Sequence, residues 1–150
     1  VDTGLIPTGK FLPVESTPYD FRSGALLSER QFAAPQPSFK PGERPTRGAG
    51  MQMPAVPEGM VRSYDLCYIL NHSKAGKVEK VASLYCPETG RCIEVFNNHP
   101  GLQLFTGNKR GVALESEMYP DSPNHSDFPT TTLRPGETYK HTVVYKFSVK

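Results

Sequence analysis

The sequence predicts an all-β protein. Three observations carry that expectation: a period-two alternation in the last segment, two extended runs joined by a Pro/Gly turn, and no apolar stripe of helical spacing sustained over three turns. The 15 prolines and 13 glycines among 150 residues are dense turn punctuation, short of a collagen-like or disordered composition. A chain of this length can bury a real core, alone or as part of a larger domain.

The elements can be justified one by one. Asp65, in Tyr64-Asp65-Leu66-Cys67-Tyr68, is an acid opening an apolar run, as strand-start residues often are. Val78 to Tyr85 and Arg91 to Phe96 read as a hairpin around a turn at Pro87 to Gly90. Gly101 to Thr106 follows, with Leu102 and Leu104 apolar against Gln103 and Thr106. Gly111 to Glu117 is the next strand. The last begins at Tyr139: the odd positions Tyr139, His141, Val143, Tyr145, Phe147 and Val149 are mostly apolar and the even ones mostly polar, so one face is expected to be buried. Arg134-Pro135-Gly136-Glu137 introduces it, Pro then Gly suiting the central positions of a type II turn. Residues Ala33 to Arg62 differ from the rest. Pro35, Pro37, Pro41, Pro45, Pro54 and Pro57 alternate there with Gly42, Gly48, Gly50 and Gly59, and Lys40, Arg44 and Arg47 add charge. That is the composition of a long loop insertion, with a partner-binding role as the sharper alternative.

Charge and hydropathy exclude several function classes. Lys and Arg number 17 against 15 Asp and Glu, a net +2 spread along the chain, which is not the footprint of a nucleic-acid binder. Apolar stretches such as Cys67 to Leu70 are far too short to span a bilayer, and no secretion signal opens the chain, so a cytoplasmic protein is expected. The start at Val1, with Leu5, Ile6 and Pro7 following, reads like the inside of a folded unit and suggests a fragment. Asn71-His72-Ser73 and Asn124-His125-Ser126 match the glycosylation triplet, which arises readily by chance.

The chemistry-bearing residues are few. Cys67, Cys86 and Cys92 cannot all pair; a hairpin could bring Cys86 to Cys92, but reduced thiols are the expectation. His72, His99, His125 and His141 show no i,i+4 pairing and the cysteines no Cys-x-x-Cys spacing, so no metal site is expected. His141, on the apolar face of the last strand, reads as a satisfied core histidine. Phosphate-loop and serine-elbow motifs are lacking. Glu115 and Glu117 are the notable pair. In Val112-Ala113-Leu114-Glu115-Ser116-Glu117-Met118 they point to one face of a strand, where two carboxylates repel. A polar binding cavity would reward that arrangement, and one carboxyl could then act as a base with a raised pKa; a solvent-facing edge is the plain alternative.

A resemblance then adds to this reading. Thr8-Gly9 with Pro13 to Arg22, Tyr64-Asp65, Gly90 to Val95, Pro100 to Asn108, Leu114 to Glu117, Pro120 to Asn124, Phe128-Pro129 and Leu133 to Glu137 together resemble, in order, the C-terminal half of the aldose 1-epimerase (galactose mutarotase) family. The resemblance implies that residues 1–150 are the C-terminal portion of one domain, part of a large antiparallel β-sandwich that interconverts α and β anomers of free aldohexoses. It implies Glu115 as the general base, with Asp65 and Gln103 on positions that hydrogen-bond sugar hydroxyls. Glu117 joins them as a substrate-side residue, in place of a common Gln. It implies no metal or organic cofactor. The family's general acid is a histidine of the N-terminal half, so a complementary half or partner chain is expected to supply it and to cover the open sheet. The alternative is a non-catalytic sugar-binding or structural subunit.

Overall fold

In the computed structural model the described residues are 8–32, 55–107 and 111–150. They fall into two compact units, Leu12–Tyr64 and Val1–Phe11 with Asp65–Lys150.

The larger unit holds every named strand: β1 (Asp65–Ile69), β2 (Glu79–Tyr85), β3 (Arg91–Asn97), β4 (Gly101–Phe105), β5 (Ala113–Glu117) and β6 (Val143–Val149). They form two three-stranded sheets, in the orders β1-β4-β5 and β2-β3-β6, with every pairing antiparallel. The all-β expectation holds. Helix among the described residues amounts to one short α-turn, Leu27–Arg30, and one 3-10 turn, Ser122–Asn124.

Local chemistry explains the turns. β2 and β3 close over Cys86 to Gly90, where Cys86 N–H donates to the Arg91 carbonyl at 2.9 Å and Gly90 takes φ +68°. At the second predicted turn, Gly136 has φ +87° and Glu137 N–H donates to the Arg134 carbonyl at 3.0 Å, the type II pattern.

In the first sheet alternation sorts the faces cleanly. Leu102 is 4% exposed and Leu104 7%, while their neighbour Gln103 points the other way. The second sheet departs from expectation. β6 starts at Val143, not Tyr139, and its apolar row is open: Phe147 is 75% exposed and Val149 76%. Phe147 is the register partner of Ile93, and Tyr145 of the wholly buried Val95, so the row continues an apolar face whose outer edge the described residues leave uncovered. The delayed start has a specific cause. Asn98 Oδ1 accepts both the Thr142 N–H, at 2.9 Å, and a hydrogen bond with His141 Nδ1, at 3.0 Å, so a side chain takes the donor a ladder would need. His141 is thus satisfied, as expected, but ahead of the strand.

The smaller unit is organised by aromatic packing. Tyr64, wholly buried, meets Tyr19 and Phe21 edge to face at 5.9 and 5.3 Å, and its hydroxyl donates to the Pro18 carbonyl at 2.8 Å. Arg30 lies over the Phe21 ring, and Arg22 forks onto Asp20 at 2.9 and 2.8 Å, holding that carboxyl down at about 2. Of the Pro-rich stretch, residues 33–54 lie outside the described residues. At its described end Val61 is buried and bridges Gln31 in parallel.

Candidate functional site

Register builds the site. β4 lies at the centre of its sheet, and Gln103 is directly opposite Cys67 of β1 on one side and Glu115 of β5 on the other. One row on, Gly101 faces Ile69 and Glu117; one row back, Phe105 faces Asp65 and Ala113. Directly opposed residues share a face and the side-chain period is two, so Asp65, Gln103, Glu115 and Glu117 all stand on one face with Cys67 among them. The opposite face carries Leu66, Leu102, Leu104 and Leu114, with Leu102 and Leu104 buried. All four residues singled out in the sequence are brought together.

The polar contacts fix their orientation. Gln103 Nε2 donates to Asp65 Oδ1 at 2.7 Å, so the amide oxygen of Gln103 and the second oxygen of Asp65 stay available to hydroxyl groups. Glu115 is exposed, whereas Glu117 is half-buried. Among the described residues, one oxygen of Glu117, Oε1, has neither solvent nor a hydrogen-bond partner. Burial pushes the Glu117 carboxyl above its ordinary range; the Cys67 thiol pulls it back and the Glu115 charge adds to the rise. Burial, followed by the Glu117 carboxyl, raises the Cys67 thiol to about 12, so it is a thiol donor and not a thiolate.

Sequence reasoning missed Cys67 at this site because cysteines were weighed for pairing and metals. Its signal was positional: it stands two residues after Asp65 on the same strand. All three cysteines are free, and the hairpin sets Cys86 outward while Cys92 is buried. Gly101 was missed as well. A Cβ there would stand 2.7 Å from Cys67 Sγ, 3.1 Å from the Glu117 carbonyl oxygen and 3.3 Å from a Tyr119 ring carbon, so only glycine lets the thiol reach across β4.

Supports lie behind and beside the face. Asn97, wholly buried, donates from Nδ2 to Ser116 Oγ at 2.7 Å, tying β3 to β5 from the side opposite Glu115. Past Glu117, Tyr119 packs edge to face with Phe128 at 5.1 Å and with Phe11 at 5.6 Å. Each histidine is engaged elsewhere: His72 with the His99 carbonyl and Glu79, His99 with Tyr139, His125 with Asp121, His141 with Asn98. Among the described residues no group of His, Cys, Asp and Glu is arranged to hold a metal ion, and no helix is long and apolar enough to cross a membrane. Asn108, Lys109 and Arg110 lie outside the described residues.

Chemically, the face offers two solvent-open acids, Asp65 and Glu115, one amide, Gln103, and a half-buried third acid, Glu117. That is a set for binding hydroxyls and for moving one proton. Comparison with known proteins identifies the family. The aldose 1-epimerase family profile matches residues 1–146. The chain is similar to the galactose mutarotase of Mus musculus, 33% identical over 165 aligned positions, 99% of this chain and 40% of that protein. It is 32% identical to the galactose mutarotase of Homo sapiens, with the same coverage. It is 29% identical to the aldose 1-epimerase of Escherichia coli K12, over 98% of this chain and 41% of that protein. The chain therefore spans about 40% of the length of the curated relatives it matches. With its motifs in order and their polar residues gathered on one sheet face, the chain belongs to the aldose 1-epimerase family.

Proposed function

We propose that this chain carries the base side of an aldose 1-epimerase acting on free aldohexoses such as glucose and galactose. The observation that supports the reading most is the single row in which Gln103 stands between Cys67 and Glu115, with Asp65 hydrogen-bonded to Gln103 at 2.7 Å.

The reaction follows from those groups. Glu115, open to solvent, takes the proton of the anomeric hydroxyl. An acid outside this chain gives a proton to the ring oxygen as the bond from C1 to that oxygen breaks, leaving an open-chain aldehyde. Rotation about the C1–C2 bond and reclosure, with both protons returned, yields the other anomer. Asp65 and Gln103 hold sugar hydroxyls, and Glu117 borders the sugar beside the base. A complementary N-terminal half or partner chain supplies the acid and covers the apolar row of Tyr145, Phe147 and Val149; that open row is the support for it. Residues 1–150 are then the C-terminal portion of a larger sandwich. Three free thiols, one of them the exposed Cys86, suit a reducing, cytoplasmic compartment.

Polarimetry of fresh α-D-glucose and α-D-galactose tests the reading. The protein relaxes rotation faster than buffer, and Glu115→Gln loses that acceleration. A well-folded protein that matches buffer with or without Glu115 overturns it in favour of a non-catalytic sugar-binding subunit.

A further inference from the structure

Glu115 and Glu117 occupy one face of β5 but not one environment. Glu115 is exposed to water. Glu117 is half-buried, with an oxygen that water does not reach and no donor satisfies. A charged carboxylate in that position forfeits solvation that nothing replaces, whereas a neutral carboxyl forfeits much less. The gap at Gly101 admits Cys67, whose Sγ donates to the Tyr68 carbonyl at 3.8 Å; this neutral thiol beside Glu117 tempers the effect without supplying a counter-charge. Among the described residues the other groups around Glu117 bring no cation: Asp65 and Glu115 share the face, and Tyr119, just past the strand, is a neutral phenol.

We propose that Glu115 and Glu117 work as an unequal pair, in which the half-buried Glu117, beside Cys67 at the gap left by Gly101, keeps its proton while the solvent-exposed Glu115 serves as the base. Glu117 is thus a positioning residue. While protonated, it sets a hydrogen-bond donor next to the base and spares Glu115 a like charge two residues away. Cys67 tunes where the second proton leaves. The inference rests on the reading of Glu115 as base, and deepens it by naming what holds that base ready.

The test pairs an activity profile with an activity-independent readout. Wild-type kcat/KM for mutarotation shows one carboxyl ionisation more than Glu117→Gln, and Cys67→Ala moves that extra one to higher pH because the neighbouring thiol favours the charged form. Carbon-13 carboxyl titration by NMR of the wild-type protein shows Glu117 losing its proton after Glu115. The reverse order in that titration, or equal numbers of ionisations in wild type and Glu117→Gln, overturns the proposal. Should Glu117→Gln fail to fold, the wild-type titration and Cys67→Ala decide alone. Retained turnover in Glu115→Gln would sink the base assignment, while the titration order would still judge the unequal pair.

Discussion

The two sheets are built on the same alternation and end in opposite states. In β1-β4-β5 the apolar side is covered, Leu102 and Leu104 being nearly inaccessible, and the polar side is left to Asp65, Gln103 and Glu115. In β2-β3-β6 the apolar side is covered at Val95 and open at Phe147 and Val149. Period two tells which residues share a face; it says nothing of what lies across from that face. One sheet therefore has its apolar side closed behind a polar face, and the other keeps part of its apolar side open among the described residues.

The largest effect that would sharpen this contrast falls on the first sheet's polar side. Glu115→Gln should lower kcat by about 10²- to 10⁴-fold, the usual worth of a general base, with the far-ultraviolet circular dichroism unchanged. On the buried sides, Leu104→Ala should cost about 2–5 kcal/mol in denaturant unfolding, since a covered leucine leaves a cavity. Phe147→Ala should cost well under that, because its side chain is already in water. Equal losses from the two would break the comparison and mean that the β6 row is covered in solution. Gln103→Ala removes the amide that holds Asp65, one hydrogen bond of about 1 kcal/mol, so KM should rise roughly 5-fold with kcat nearly unchanged.

The smallest effect belongs to the second sheet and is set by pH. Burial holds His99 and His141 below their ordinary 6.5, the neighbouring His141 adding to the shift of His99, and the two rings lie 3.4 Å apart between centroids. Their folded-state pKa values are depressed, so the unfolded chain binds protons first. The stability they protect is complete above 6.5 and is lost as pH falls from there through the folded values. His141→Gln should flatten the melting temperature between pH 6.5 and the onset of carboxylate loss. That onset comes lower, at the ordinary values of 4.5 for Glu79 and 3.8 for Asp20 where the unfolded chain takes up protons, and the loss runs down toward their folded values of about 2, set by Lys77 and Ser73 for Glu79 and by Arg22 for Asp20. An unchanged slope in the variant would assign the acid sensitivity elsewhere.

Much of the site was legible in the chain. Alternation alone put Glu115 and Glu117 on one face, and the Pro87 to Gly90 turn placed the β2–β3 hairpin. The family resemblance added Asp65 and Gln103, and the register later joined all four. What escaped was non-local. That Cys67 stands beside Gln103, and that Gly101 must lack a side chain to let it through, depends on which strands pair and in what register. The start of β6 escaped for a related reason: Tyr139 and His141 keep the period, but Asn98, far away in sequence, captures the Thr142 donor. Periodicity reports on a strand's own residues, and a distant side chain can end it.

The placement of β3 also fixes an order of assembly. Its two partners differ in how much chain must be closed: β2 is joined to it by a short turn, whereas β6 returns only after the whole stretch from Asn98 to Thr142. Closing the longer loop costs more entropy before any ladder bond repays it, so the β2–β3 hairpin forms on the timescale of microseconds and β6 docks last. Pulse-labelled amide exchange should show Leu84 and Cys86, whose N–H groups face β3, protected before Lys146 and Ser148. Until that last strand arrives, β3 presents an unpaired edge beside its own apolar face, which is the interval in which the chain is most open to pairing with the wrong partner.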